Sequence, residues 1–228
     1  MHDSENFTAG VGSLPSALLF DMDGTLVDSE PYWSLAEERV LPGFGVPWTP
    51  QLGLTSIGVP LGVWTAGLFA RYGCQGDPRE ASVQIEEEMV RIFAERGVMW
   101  RPGAVELMEL AVRLNIPSAI VTATHSRIVE AIRVAAPPGA LSIMVAGDMV
   151  REGKPSPEGY LRAASIAGVA PQRCVAFEDS ETGVQAALAS GAVTVWVPFL
   201  VDFSVPRGVK IVRSLRELNE DGLRQLLA

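Results

Sequence analysis

Cysteine is scarce in this sequence: its 228 residues include two, Cys74 and Cys174, which lie far apart and lack the spacing of a metal site. Scarcity of this kind excludes a disulfide framework and favours free thiols in a reducing compartment. No apolar run approaches the roughly 18 residues that suggest a membrane span. The polar, acidic N-terminus also lacks the basic and apolar regions of a signal peptide. We expect a cytoplasmic protein that does not bind membranes.

Basic residues are also in short supply, with 18 Lys and Arg against 27 Asp and Glu and a formal net charge of -9. There is no dense Lys/Arg run, so the sequence does not predict nucleic-acid binding. A negative surface repels anions at long range. Any site for an anionic ligand must therefore be built locally, from a metal ion and a few well-placed hydrogen-bond donors.

Short apolar runs are what the sequence does contain, and several end abruptly in a polar residue. The clearest runs are 17–20, 118–121, 141–146, 174–177 and 193–197, with a weaker one at 209–212. Patterns typical of helices fall between them, at 103–114, 126–135, 157–167 and 182–190. Strands that alternate with helices predict an α/β fold, a Rossmann-like, doubly wound parallel sheet. Ligands bind at the carboxyl ends of the strands in such sheets.

Residues 31–101 differ from the rest of the chain, because they show helical periodicity without buried-strand runs and hold four of the five tryptophans. We interpret this stretch as a helical insert after the first strand. The core domain would then comprise residues 16–30 and 102–228, preceded by a flexible leader at 1–15. Nothing in the sequence indicates oligomerisation, and a monomer is expected.

The most specific motif is the string DMDGTLVD, which places Asp21 and Asp23 directly after the first apolar run. Two carboxylates separated by one residue suit a nucleophile and an acid/base placed side by side. Gly24 allows a sharp turn, so that backbone amides can point at an anion. On its own, the DxDG string is as compatible with an Asp-rich turn or a calcium-type loop.

The string resembles the first signature of the haloacid dehalogenase-like phosphatases, and three further signatures follow it in order. Thr122 resembles the second, a hydroxyl at a strand end. Lys154, in the string GKPSP, resembles the third. The acidic pair Glu178-Asp179 resembles the fourth. The resemblance covers essentially residues 17–228.

The resemblance implies a role for each of these residues in phosphoryl transfer. Asp21 would attack phosphorus and become an aspartyl phosphate, and Asp23 would protonate the leaving oxygen and then activate water. Mg²⁺ would be held by Asp21, the main-chain carbonyl of Asp23 and the pair Glu178/Asp179, since oxygen-only ligation is what magnesium prefers. Lys154 and Thr122 would bind the phosphoryl oxygens as a point charge and a donor.

Weaker signals concern substrate contacts. We expect substrate-binding residues in two loops, namely Gly24, Thr25, Ala123, Thr124 and His125. His125 is as compatible with a water-exposed loop histidine. Ser126 is interpreted as the N-cap of the helix at 126–135. The tryptophans of the insert are expected to serve packing more than sugar stacking.

The predicted substrate is a small phosphorylated metabolite. In this superfamily, an insert of this kind is a small helical cap domain, and the insert of this chain resembles that of sugar-phosphate and hexitol-phosphate phosphatases. The beta-phosphoglucomutase group is the alternative, because it shares all four signatures. Those mutases carry a histidine in the first cap helix where this chain has Trp33, and a cap arginine in the stretch where this chain has Leu61. A non-catalytic relative is disfavoured because every signature residue is present, and a metal-free dehalogenase would leave Asp23 and the acidic pair without a purpose.

Overall fold

A computed structural model describes residues 12–228 of the chain. Part of the predicted leader, residues 1–11, therefore lies outside the described residues. At residues 12–15 the backbone forms no regular element, and the Arg173 guanidinium donates a 2.8 Å hydrogen bond to Ser13 Oγ. Within the described residues no helix is long and apolar enough to cross a membrane.

Six parallel strands form a single sheet in the order β3-β2-β1-β4-β5-β6. They are β1 (Ala17–Phe20), β2 (Ser118–Val121), β3 (Ile143–Val145), β4 (Cys174–Glu178), β5 (Val193–Trp196) and β6 (Lys210–Ile211). The predicted runs therefore coincide with strands. The prediction for β3 was two residues too long at its start, because Leu141 has φ +50° and donates its N–H to Ser118 Oγ instead of joining the ladder.

Helices cover both faces of this sheet, as a doubly wound fold requires. They are α1 (Glu30–Val40), α2 (Pro50–Gly53), α3 (Leu61–Tyr72), α4 (Pro78–Arg96), α5 (Ala104–Arg113), α6 (Ser126–Ala135), α7 (Glu158–Ile166), α8 (Glu181–Ser190) and α9 (Glu220–Leu226). Alternate residues of β1 face opposite cores. Leu18 and Phe20 pack in the cluster that contains α5, α6 and α9, and Ala17 and Leu19 pack in the one that contains α7 and α8.

Helices α1 to α4 form the insert between β1 and α5, where α4 packs against α1, α3 and α6. The two connections to the sheet run side by side, since Val27 bridges Trp100 in antiparallel fashion and Arg101 N–H donates to Leu26 O at 2.8 Å. Helix α4 is also tied to the start of α6 by an ion pair of 2.9 Å between Glu87 and Arg127. These contacts hold the insert against the end of the sheet where β1 and β2 finish.

Candidate active site

Three carboxylates meet at the carboxyl ends of the two central strands. Asp21 follows β1, Glu178 ends β4, and Asp179 comes next. The strands are paired in register, and Asp21 N–H donates to Phe177 O at 3.0 Å. One oxygen from each of the three side chains lies within 4.8 Å of the others. The sheet therefore brings together the carboxylates that the sequence predicted as metal ligands.

Lys154 reaches this cluster from the loop before α7. Its ammonium pairs with Asp21 Oδ1 and, at 2.6 Å, with Glu178 Oε1, and its side chain is only 10% exposed. The Tyr160 hydroxyl, from α7, also donates to Glu178 Oε1, and Ser180 Oγ donates to Oε2 at 3.2 Å. Both oxygens of Glu178 therefore already accept from protein donors, whereas Asp21 has one oxygen bound to the ammonium.

Burial raises the pKa of Asp21 well above its usual value; Lys154 opposes that shift, and the other carboxylates add to it. Burial, reinforced by Glu178, also raises the pKa of Asp179, to about 7. For Lys154, burial alone would lower the pKa, but Asp21 and Glu178 outweigh it and the pKa rises. The cluster therefore holds more negative charge than one ammonium offsets.

Asp21 Oδ2 is buried and, within the described residues, has no hydrogen-bond partner. Leaving a charged buried acceptor unsatisfied costs about 1–3 kcal/mol or more. A hard divalent cation beside Asp21, Glu178 and Asp179 would satisfy this oxygen and offset the excess charge, since oxygen ligands are what such cations prefer. The donor set fits the predicted metal site. The Asp23 carboxylate lies outside this set, and the ligand predicted from Asp23 is its main-chain carbonyl.

Asp23 accepts four side-chain hydrogen bonds. Oδ1 accepts from Ser29 Oγ at 2.6 Å and from Trp33 Nε1 at 3.2 Å. Oδ2 accepts from Thr122 Oγ1 at 3.3 Å and from Thr124 Oγ1 at 2.7 Å. Two donors come from the start of the insert and two from the loop after β2, so the orientation of this carboxylate depends on both parts of the chain.

Sequence reasoning did not predict that Ser29 and Trp33 contact Asp23 or that Tyr160 contacts Glu178. Ser29 and Trp33 stand four residues apart at the start of α1, and this spacing places two side chains on one helix face. That spacing, directly after the DMDG string, was a usable signal. Trp33 does pack against the core as predicted, but its indole N–H also reaches Asp23. No sequence signal pointed to Tyr160, because only the packing of α7 brings it to Glu178.

In the loop after β2, Thr124 N–H donates to Thr122 Oγ1 at 3.1 Å, and Ala123 is exposed. His125 is half-exposed, and its Nδ1 lies 2.6 Å from Glu86 Oε1 of α4. The N-cap prediction for Ser126 was wrong. His125 occupies the N-cap position of α6, and Ser126 is the first helical residue; its N–H and hydroxyl both donate to Asp148. Asp148 therefore takes the place of a capping side chain.

Two glycines allow the close approach of backbone to carboxylate. Gly24 has φ +81°, and a Cβ there would lie 2.1 Å from Asp179 Oδ2. At Gly183, in the first turn of α8, a Cβ would lie 2.0 Å from Glu178 Oε2. Gly24 thus makes the predicted turn. Thr25 is fully buried and lines a separate cavity together with Arg101. The structure therefore does not place this predicted substrate-binding residue in the carboxylate cluster.

The family comparison matches residues 15–191 to the haloacid dehalogenase-like hydrolases. The chain belongs to this family. Among curated proteins, it is 35% identical to a phosphorylated carbohydrates phosphatase of Thermotoga maritima, over 77% of this chain and 81% of that protein. It is 32% identical to hexitol phosphatase A of Escherichia coli (strain K12), over 76% of this chain and 78% of that protein.

Among solved structures, CbbY from Rhodobacter sphaeroides in complex with phosphate is similar, with a TM-score of 0.79 and 29% identity, over 90% of this chain and 96% of that one. The predicted family and the predicted α/β fold with a parallel sheet are therefore confirmed. The roles of the individual site residues stay predictions.

Proposed function

We propose that this chain is a Mg²⁺-dependent phosphatase that hydrolyses a small sugar or polyol phosphate through an aspartyl phosphate on Asp21. The observation that carries the proposal is the state of Asp21. One of its oxygens pairs with a buried ammonium, and the other is buried with no partner among residues 12–228, beside two further carboxylates. A carboxylate held in this way is oriented and has a free oxygen for phosphorus or a metal ion.

Membership of the family and the phosphatases among its relatives confirm the predicted enzyme class, a phosphoric monoester hydrolase. The substrate class is inferred from the relatives, whose names specify phosphorylated carbohydrates and hexitols. A cytoplasmic location and a monomeric state stay predictions from the sequence.

In the first step, a carboxylate oxygen of Asp21 attacks phosphorus in line with the ester oxygen. The new bond joins Asp21 to phosphorus, the ester P–O bond breaks, and the leaving oxygen takes a proton from Asp23. Lys154, oriented by Glu178 and Tyr160, offsets charge on the phosphoryl oxygens, and Thr122 donates to them. Lys154 must loosen its hold on Asp21 as it turns toward the phosphoryl group.

In the second step, Asp23 takes a proton from water, the water oxygen attacks phosphorus, and the aspartyl P–O bond breaks to release phosphate. Asp23 must therefore carry a proton in one half of the cycle and accept one in the other. The hydroxyl donors Ser29, Thr122 and Thr124 can rotate to accept from a protonated Asp23. The indole N–H of Trp33 can only donate, so it fixes Oδ1 as an acceptor throughout.

A magnesium ion would be held by Asp21, the Asp23 carbonyl, Glu178 and Asp179, and its chemistry when bound is to neutralise charge and polarise the phosphoryl oxygens. Hydrogen bonds from neighbouring residues position the acidic pair. Trp196 Nε1 donates to Asp179 O at 3.0 Å, and Ser180 caps α8 by accepting from Gly183 N–H at 3.2 Å. These bonds hold the acidic pair at the end of β4.

We further propose that residues 31–101 act as a cap over the site, because α1 supplies a donor to Asp23 and α4 contacts the loop after β2 through Glu86. The mutase alternative gains no support from this geometry. Where a mutase carries a histidine base, Trp33 offers a donor that cannot accept a proton. Water is then the acceptor of the phosphoryl group, and phosphate is the product.

The test is a panel of sugar and polyol phosphates, assayed with Mg²⁺ for both phosphate release and isomer interconversion. We expect release from at least one member, its loss in excess chelator, and no interconversion above the background of Asp21→Asn. Interconversion faster than release would replace the phosphatase proposal with the mutase. Release that persists in chelator would contradict the metal requirement.

A further inference from the structure

A cavity of about 290 Å³ lies next to the carboxylate cluster and takes no part in the chemistry above. Its walls come from the connection between α4 and α5, from the loop after β5 and from the segment after β6. Ligand pockets for whole metabolites usually span about 300–1,000 Å³. A cavity of this size suits a small ion better than a large substrate.

Two arginines, Arg101 and Arg213, line this cavity, and no carboxylate does. Neither arginine forms an ion pair with any residue that the structure describes. The Arg101 guanidinium lies 3.9 Å above the centre of the Phe199 ring and donates to Pro198 O at 3.1 Å. This stacking fixes the plane of the guanidinium and leaves most of its five donors unused.

Two buried polar atoms of the cavity residues have no partner among the described residues. They are Arg101 Nε and the hydroxyl oxygen of Thr25, a residue that is completely buried. Each such group destabilises the fold while it is left unsatisfied. Both can donate a hydrogen bond.

We propose that this cavity binds a free oxyanion such as phosphate, through Arg101 and Arg213. Planar guanidinium groups match the oxygens of phosphate and carboxylate in bidentate fashion. The net charge of -9 means that an anion finds little attraction elsewhere on the surface. The residues that line the cavity differ from those of the carboxylate cluster, although Asp179 and the cavity residue Phe199 both approach Gly24 from the side of its Cβ position.

Gly24 connects the two sites. A Cβ there would lie 2.1 Å from Asp179 Oδ2 and 3.1 Å from Phe199 Cδ1. Two carboxylates, Asp28 and Asp179, act electrostatically on Arg101, so they oppose an anion in the cavity. We therefore expect an affinity of about 1 mM, which corresponds to roughly 4 kcal/mol of binding free energy.

The experiment is a titration of the full chain with inorganic phosphate in excess chelator, followed by phosphorus NMR or calorimetry. Without metal, the carboxylates repel phosphate from the catalytic centre, so the cavity is the site that remains. Arg213→Gln should weaken binding about fivefold and Arg101→Gln about tenfold, since each removes charge-assisted hydrogen bonds. Arg216→Gln, the matched control, removes the same charge from an exposed residue next to the cavity lining and should change the affinity by less than about twofold.

Arg213 is exposed, so its variant is expected to fold even if the one at Arg101 does not. Failure of the wild-type chain to bind phosphate without metal would overturn the proposal. So would binding that Arg213→Gln leaves unchanged. Neither result depends on catalytic turnover, and both are separate from the test of the proposed function.

A second arm distinguishes free phosphate from an acidic group of the substrate, and it rests on the proposed function. Arg213→Gln should leave KM unchanged both for simple phosphate monoesters and for monoesters with a second acidic group. A rise in KM confined to the doubly acidic substrates would show that the cavity holds part of the substrate and would overturn the assignment to a free ion.

Discussion

Two buried carboxylates in this chain meet different surroundings. Asp21, at the end of β1, and Glu37, in α1, each have one oxygen that is buried without a partner among the described residues. Asp21 faces the ammonium of Lys154. Glu37 accepts from Trp48 Nε1 at 3.3 Å, and burial raises its pKa to about 7. We infer from this comparison that a buried carboxylate indicates a reaction centre only where a cation and further carboxylates lie beside it.

The first prediction contrasts the two carboxylates in catalysis. Asp21→Asn removes the proposed nucleophile and should lower kcat by about 10⁴-fold or more. Glu37→Gln should leave kcat within about twofold, because Glu37 touches no group of the proposed reaction. Phosphate release with a substrate found in the panel measures both. An Asp21→Asn variant that retains a tenth of the wild-type rate would remove Asp21 from the mechanism.

The second prediction concerns removal of the cation beside Asp21, which leaves Asp21, like Glu37, without a neighbouring ammonium. Lys154→Met removes the buried cation and leaves two carboxylates facing each other, which should lower the free energy of unfolding by about 3–5 kcal/mol in chelator. The double variant with Asp21→Asn should recover a large part of that loss, since one charge is gone. Urea unfolding at pH 8 measures all three chains. Equal stability of Lys154→Met and wild type would show that the ammonium does not compensate the cluster.

The third prediction concerns the pH dependence of stability. The folded-state pKa of Glu37, about 7, lies above the ordinary value of 4.5 for a glutamate, so the folded chain binds the extra proton between these values. Stability from this group is present below about pH 4.5 and is lost as the pH rises to about 7. Glu37→Gln should therefore stabilise the chain by about 2 kcal/mol at pH 8 and by much less at pH 5. Urea unfolding at the two pH values checks this, and a gain that is equal at both would contradict it.

The fourth prediction has the smallest effect. Trp33→Phe keeps an aromatic ring but removes the N–H that donates to Asp23, and we expect kcat to fall about three- to tenfold with an altered pH profile. Trp64→Phe is the matched control, because Trp64 Nε1 donates to Thr55 Oγ1 at 2.9 Å, within the insert. The two pH–rate profiles decide the point. An unchanged profile for Trp33→Phe would show that the bond to Asp23 has no part in proton transfer.

The sheet and the acidic pair could be predicted because local patterns determine them. A short apolar run that ends in a carboxylate specifies a buried strand and its functional end, as at Phe20-Asp21 and Phe177-Glu178. The contacts of Tyr160 and Glu86 could not be predicted in this way. Each depends on how one helix packs against a distant segment, and side-chain identity alone does not give that. Leu141 illustrates the same limit, since a hydrogen bond to Ser118, 23 residues earlier, ends the strand.

In the proposed mechanism, the phosphoryl group is transferred twice, first to Asp21 and then to water. The most direct test is the stereochemical course of hydrolysis of a phosphorothioate monoester that is chiral at phosphorus through two oxygen isotopes, in water enriched in the third isotope, because the released thiophosphate is then itself chiral. Each in-line displacement inverts the configuration, so two displacements should release thiophosphate with net retention. Net inversion would mean that water attacks the substrate directly, and it would contradict an aspartyl phosphate on Asp21.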